Sequence, residues 1–392
     1  MSKLSPILKI FAFLPPILLL VGTIGTMSCG NGLFPTVTAT STSSATATAT
    51  TGAFGFVTNF NDGKISEFTR NTSTGKLTLV GTVAAGSSQG PKGLAAFSSF
   101  LYAANFKDNT VLQYTIGAAA ILTPIGTGSV SDGSGSGPEQ VVINPAGTFL
   151  WASNFSNGTI SGWAITSGTG ALTTTGTLSG LSGPFGMAVN SAGTILYVAD
   201  NRAGLLYTFS ISSSGTLAQV GLPVQSLGVS NGSPGLMVID PTGLYLYVDD
   251  LTNGVVAIFN ITSGSPVFAT IAPATFTSNV PVGVGIAAIS SGTFILTANQ
   301  NAGNLWYFQQ LNSGLLSTPI AFGTLSSPTG LTVDPQNAFV YTANQGNSTV
   351  GIFQLNVACP TTVQVLCQIG TVATEKSPPS GGSAPFGVIL AN

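Results

Sequence analysis

The segment Tyr341-Thr-Ala-Asn344-Gln-Gly-Asn-Ser-Thr-Val350-Gly-Ile-Phe353 decides the fold, because its pattern returns six more times along the 392-residue chain. Its anchor, an Asn or Asp, recurs at Asn59, Asn105, Asn154, Asp200, Asp250, Asn299 and Asn344. The anchors are 45 to 50 residues apart, the period of a four-stranded propeller blade. Three residues before each anchor stand Phe56, Tyr102, Trp151, Tyr197, Tyr247, Leu296 and Tyr341, with leucine as the one non-aromatic. Six residues after come Ile65, Val111, Ile160, Leu206, Val256, Leu305 and Val350. Nine residues after come Phe68, Tyr114, Trp163, Phe209, Phe259, Phe308 and Phe353, an unbroken aromatic column.

A second signature falls between the anchors and once after the last: Pro91-Lys-Gly, Pro138-Glu-Gln, Pro184-Phe-Gly, Pro234-Gly, Pro281-Val-Gly, Pro328-Thr-Gly and Pro385-Phe-Gly. Each opens a short apolar run bounded by Gly and Pro, which is the mark of a buried strand rather than a helix. The expected architecture is all-β, a seven-bladed β-propeller of four-stranded blades over residues 53–392. The Pro-x-Gly strand is innermost, the aromatic-x-x-Asn strand second and the aliphatic-x-x-aromatic strand third. A Gly-x-Leu strand such as Gly75-Lys76-Leu77 is outermost. Because the repeats begin at a second strand and end on a lone Pro385-Phe-Gly strand, the C-terminal strand is expected to join blade one and close the ring, which leaves only short outer edges.

Composition narrows the function classes. Charged residues are only 5% of the chain, so Ser, Thr, Asn and Gly cover most of the exterior. The net charge is −2, and without Lys3 and Lys9 the chain keeps 7 basic against 11 acidic residues, which offers no basic patch for nucleic acid. There is no histidine, so the commonest general base and transition-metal ligand are both missing. No nucleophile elbow, phosphate loop, calcium loop or zinc motif is present, and neither a metal nor another cofactor is expected.

The N-terminus reads as an export signal: Lys3 and Lys9 precede the apolar run Ile10 to Val21, and small residues follow up to Ser28-Cys29. It resembles the bacterial lipoprotein signal, with Cys29 as the lipidated new N-terminus, although Thr26 stands where that family usually has leucine. An uncleaved anchor and an ordinary cleaved signal are the alternatives. On this reading residues 1–28 are the signal peptide and 29–52, rich in Ser, Thr and Ala, are a flexible stalk that holds a monomeric propeller off a membrane in the cell envelope. In an exported protein Cys359 and Cys367 read as a hairpin disulfide, the alternative being two free thiols.

Loops entering the innermost strands share one face with loops joining the second and third strands. That face collects Lys92 and Glu139 from consecutive Pro-x-Gly turns, together with Asp62, Lys64, Lys107, Asp108, Asp200, Arg202, Asp249 and Asp250. Lys92, Glu139, Asp200, Arg202 and Asp250 are the candidate ligand-binding residues, since a site needs a few polar groups converging on a pocket. Asp240 and Asp334, on the opposite face, read as turn residues. The anchors themselves read as structural, each bonding its own loop.

The repeats Phe56-Val-Thr-Asn59, Tyr102-Ala-Ala-Asn105, Tyr197-Val-Ala-Asp200 and Tyr341-Thr-Ala-Asn344 resemble the lactonase-type seven-bladed propellers over residues 53 to 392. These include bacterial 6-phosphogluconolactonase and the muconate-cyclising propellers, and they overlap with the YVTN-type surface propellers. The resemblance implies hydrolysis of a sugar lactone by water, with a general base and a cation near the oxyanion. The muconate-cyclising relatives use histidine, arginine and glutamate, a set that does not carry over to a chain without histidine. Glu139 as base, with Lys92 or Arg202 as electrophilic helper, is the remaining catalytic set. The sequence reading therefore puts a binding or scaffold propeller first, with a carbohydrate, peptide or protein ligand, and an extracytoplasmic lactone hydrolase second.

Overall fold

The computed structural model describes residues 53–87, 90–226, 232–271, 283–288, 294–311, 314–355, 366–375 and 384–391. The leader, Cys29, the stalk through residue 52 and Cys359 lie outside these residues, and with them the lipidation and disulfide readings.

Seven antiparallel sheets follow one another along the chain. Blade 2 is typical, with Pro91–Phe97, Phe100–Asn105, Thr110–Ile116 and Leu122–Ser131 in sequential order from the inside outwards. The seven innermost strands, six of which begin with proline, pack against one another in a ring. Blade 1 takes its innermost strand, Pro385–Ala391, from the other end of the chain, paired antiparallel with Phe54–Asn59. The ring is thus closed as the unpaired terminal repeat requires. Blade 4 departs from the pattern, its outer edge being split into Leu217–Gln219 and Val224–Gln225.

The columns of the sequence are the contacts between blades. The apolar column nine residues after the anchor fills these seams, Phe68, Phe209, Phe259, Phe308 and Phe353 being essentially inaccessible. The aromatics three residues before the anchor do more, because their polar tips bind the next blade. Tyr102 Oη donates to the Gly170 carbonyl at 2.7 Å, Trp151 Nε1 to Gly215 at 3.1 Å and Tyr197 Oη to Gly264 at 3.0 Å. Tyr247 Oη donates to Gly314 at 2.7 Å, and Tyr341 carries the pattern across the closing seam to Gly75 at 2.8 Å. Each acceptor opens the outermost strand of the following blade or the turn before it. Glycine is required there twice over: at Gly75 φ is +70°, and a Cβ would lie 2.3 Å from the Phe339 ring of the preceding blade.

Two further contacts fasten the seams. Where Phe56 has no polar tip, Glu67 Oε1 accepts the Leu122 N–H of blade 2 at 2.8 Å. At the closing seam, Arg70 of blade 1 donates to Asp334 of blade 7 at 3.2 Å, both side chains being fully buried. Asp334 is also the turn residue expected, its Oδ1 accepting from the N–H groups of Ala338 and Phe339.

Removal of residues 384–392 takes away the strand that, among the described residues, pairs with the inner edge of Phe54–Asn59. Cooperative unfolding, followed by circular dichroism against temperature, is expected to be lost in that truncation; an unchanged melting curve would overturn the closure. Tyr247→Phe leaves the Gly314 carbonyl without its donor and is expected to cost about 1–3 kcal/mol in denaturant titrations.

Candidate functional site

In every blade the pairing of the innermost with the second strand contains the same irregularity. Pro91 faces Asn105 but Leu94 faces Ala103, so the inner strand carries one extra residue just after its proline. Equivalent shifts follow Pro138, Pro184, Pro234, Pro328 and Pro385, and in blade 6 the shift follows Gly283, which faces the anchor Asn299 where the Pro-x-Gly reading put Pro281 two residues earlier. A bulge re-aims side chains, and here it sets the residue after each proline at one end of the ring of inner strands. In the six blades with a proline facing the anchor that position holds Lys92, Glu139, Phe185, Gly235, Thr329 and Phe386. The next position is glycine in most repeats because the strands converge. A Cβ on Gly93 would lie 2.8 Å from the Glu139 carbonyl oxygen, and one on Gly330 would lie 2.5 Å from that of Phe386. In blade 3 the position is Gln140, whose Oε1 accepts the Met187 N–H of blade 4 at 2.6 Å.

Lys92 and Glu139 meet at the seam of blades 2 and 3, Nζ to Oε1 at 2.5 Å. Glu139 is 6% exposed, and its Oε2 is buried with no hydrogen-bond partner. Burial pushes the Glu139 carboxyl above its ordinary pKa, against the downward pull of the Lys92 ammonium. The lysine is held in turn by three phenyl rings, with Nζ 3.9 Å from the centroid of Phe106 and 5.4 Å from those of Phe60 and Phe386. The inner strands line a partly open cavity of about 160 Å³ bordered by Glu139, Gln140, Phe185 and Phe386, with glycine backbone between them.

The other sequence-predicted residues lie differently. Arg202 is exposed, with its guanidinium 4.2 Å from the Phe155 ring and Nη1 donating to the Ser182 carbonyl. Asp200 is fully buried and accepts from the N–H groups of Ser182, Gly183 and Ala203. Asp250 likewise accepts from Ser233, Thr252 and Asn253. Both carboxylates are turned into the loops of their own blades, as anchors. Asp249 is buried against Gly235, where a Cβ would lie 2.3 Å from its Oδ1. Burial, then the charge of Asp250, push its pKa well above the usual carboxylate range. Among the described residues, Lys92 and Glu139 are the two predicted site residues that the fold joins directly. No group of three or more Cys, Asp or Glu side chains among the described residues has the arrangement of a metal site.

One set of mouth residues went unread in the sequence. The residue following each anchor is Phe60, Phe106, Phe155, Asn201, Leu251, Gln300 and Gln345 in chain order. Phe60 and Phe106 lie against Lys92, Phe60 also against Lys107, and Phe155 against Arg202. On the far side Gln300 Nε2 donates to Gln345 Oε1 at 2.7 Å. The signal was available, since the same alignment extended by one residue gives the column.

A seven-bladed propeller with a charged pair at the mouth of its central channel is the class that fold and site define. The model of the lactonase family with the 7-bladed beta-propeller matches residues 51–168, the blades that supply Lys92, Glu139 and the three phenylalanines. This bears out the resemblance drawn from the repeats. A 6-phosphogluconolactonase of Cronobacter sakazakii is 23% identical over 168 residues, 41% of this chain and about half (49%) of that protein's length. Among solved structures, a putative 6-phosphogluconolactonase from Bacteroides fragilis superposes with a TM-score of 0.73 at 16% identity, covering 88% of this chain and 99% of that one. The periplasmic gluconolactonase of Pseudomonas aeruginosa gives 0.69 at 16% identity, covering 87% and 99%. At these identities the structural likeness is one of fold.

The ion pair predicts a pH-dependent stability. Because the folded-state pKa of Glu139 is raised, its contribution is full below about pH 4.5 and is lost as pH rises through the folded value. Lys92→Met removes the group that opposes the rise and leaves a buried carboxylate unpaired. The variant is expected to lose about 3–5 kcal/mol at pH 8 and clearly less at pH 4, where Glu139 is protonated in both states. Equal losses at the two pH values in urea titrations would show that the pair is not coupled.

Proposed function

We propose that this protein hydrolyses a lactone at the Lys92–Glu139 mouth of its channel. The observation that carries the reading is Glu139, a buried residue lining a cavity, with Oε1 paired to the Lys92 ammonium and Oε2 without a hydrogen-bond partner. The match of blades 1 to 3 to the lactonase family supports it, since those blades supply both groups.

The chemistry follows from the geometry. Oε2 takes a proton from water as the water oxygen attacks the lactone carbonyl, and the tetrahedral oxyanion forms near the Lys92 ammonium. Collapse breaks the ring C–O bond, and the departing alkoxide recovers the proton from Glu139, giving the hydroxy acid. A raised pKa suits this duty, because a stronger base accepts the proton and a stronger acid than water returns it. We further infer, from Lys3 to Cys29 of the sequence, that the reaction takes place outside the cytoplasm on a protein tethered through Cys29.

A binding or scaffold role is the second reading. It is favoured by the three phenyl rings that already cover the Lys92 ammonium, which make it a packing element as much as an electrophile. The two readings separate on a panel of lactones assayed by acid release in weak buffer. Hydrolysis requires turnover by the parent and a loss of at least 100-fold in kcat with unchanged melting temperature in Glu139→Gln. A parent that turns over no lactone leaves the binding role.

A further inference from the structure

We propose that the outer seam between blades 3 and 4, away from the channel, is a binding site for a short aliphatic chain that ends in a neutral primary carboxamide. The ligand takes the place of a side chain that the repeat supplies at two other seams and omits here.

Eight residues after the anchor, blade 1 carries Glu67 and blade 2 carries Gln113. Each reaches into the following blade and accepts the N–H of the leucine that opens the outermost strand. Glu67 Oε1 takes the Leu122 N–H at 2.8 Å, and Gln113 Oε1 takes the Leu172 N–H at 3.1 Å. Gln113 Nε2 also donates to the Ile125 carbonyl of its own blade at 3.2 Å, so this carboxamide bridges the two sides of the seam. Leu122 and Leu172 are buried there, at 5% and 9% exposure. Blades 4 to 7 fill the same position with the buried side chains of Thr208, Ile258, Tyr307 and Ile352.

Blade 3 has Gly162 at this position. The frame of the seam is nevertheless unchanged. Trp151 Nε1 donates to the Gly215 carbonyl two residues before Leu217, as Tyr102 Oη donates to the Gly170 carbonyl two residues before Leu172. Leu217 opens the outermost strand of blade 4, but Gly162 brings no acceptor to its N–H, and Leu217 is only half-buried. The backbone of Gly162 lies outside the left-handed region, so glycine serves for space: a Cβ would stand 3.2 Å from the Trp151 ring and 2.7 Å from Thr175 Oγ1. What remains is a partly open cavity of about 170 Å³, with Trp151, Ile160 and Leu178 as apolar walls and Thr175, Thr216 and Leu217 around them.

The two filled seams name the ligand. The fragment by which Gln113 exceeds a glycine is propionamide, and the one by which Glu67 does so is propionate. Burial pushes the Glu67 carboxyl above its ordinary pKa, so a seam of this kind already penalises a carboxylate. None of the residues lining the Gly162 cavity is charged, and an ion placed there gives up water without gaining a counter-charge. A primary amide gives the Leu217 N–H its acceptor and finds the Thr175 hydroxyl as a partner for its own N–H groups. Its alkyl chain lies on the indole.

Nuclear magnetic resonance of the full chain, titrated separately with propionamide, propionate and propan-1-ol at neutral pH, tests the site without any lactone assay. With propionamide, saturable shifts of the Leu217 amide and the Trp151 indole N–H are expected, with a Kd of about 1–10 mM. The Leu172 amide, already bonded to Gln113, stays in place. Propionate is expected to bind at least about fivefold more weakly. Thr175→Val is expected to weaken propionamide by about fivefold at unchanged melting temperature. Shifts of Leu217 that stay linear up to about 100 mM, or that propan-1-ol reproduces with the same Kd, would overturn the site. Equal binding of propionate would overturn the neutral carboxamide as its ligand. Each of these outcomes is read on the parent protein and leaves the hydrolase reading untouched.

Discussion

The hydrogen bond from a buried aromatic side chain to a glycine carbonyl of the following blade is the constraint on which this propeller depends. It recurs at five seams, from Tyr102, Trp151, Tyr197, Tyr247 and Tyr341. Shape packing alone lets two sheets slide, since an apolar seam is nearly indifferent to small displacements along the strands. A directed bond to one carbonyl fixes both the offset and the angle between neighbours. The glycine answers two demands at once, a left-handed turn and room for the ring stacked upon it. Five seams set in this way help bring the inner strands close enough that Gly93 and Gly330 nearly touch the backbone of the next blade.

That convergence makes the site. Once the inner strands are fixed, the bulge after each proline sends one side chain per blade to the same end of the channel. Lys92 and Glu139 are 47 residues apart in the chain, yet they occupy identical positions in adjacent blades. Their contact needs no special loop. It follows from the repeat, and the chemistry comes from which residues the repeat carries there.

The fold was legible because its contacts are periodic. Aromatic and aliphatic columns at fixed distances from Asn59, Asn105 and their equivalents show in the sequence without gaps, and each column proves to be a seam or a strand interior. The site was legible only in part, because a site consists of departures from the repeat. Lys92 and Glu139 stood out as charges in a chain with few of them. Phe60, Phe106 and Phe155 did not, since a phenylalanine beside an apolar strand looks like core until the loop geometry is known. Asp200 and Asp250 misdirect for the opposite reason: their charge is conspicuous, but the loop amides of their own blades consume it. The Arg70–Asp334 pair was invisible because it joins blades at opposite ends of the chain.

The two ion pairs largely buried on both sides among the described residues show how structure and chemistry can be told apart. Burying opposite charges costs desolvation that their attraction often only offsets, so neither pair is explained by stability alone. At Asp334 both carboxylate oxygens are used, one by Arg70 and the other by the N–H groups of Ala338 and Phe339. That carboxylate is saturated, and what it does is hold the last blade against the first. At Glu139 one oxygen is spent on Lys92 and the other has no partner, although it is as deeply placed as the core around it. A buried oxygen left open costs free energy that a glutamine or a leucine at the same position would avoid. Asp62, Asp132 and Asp249 also keep buried carboxylate oxygens without partners, but Glu139 is the one of these that lines the central cavity beside a largely buried lysine.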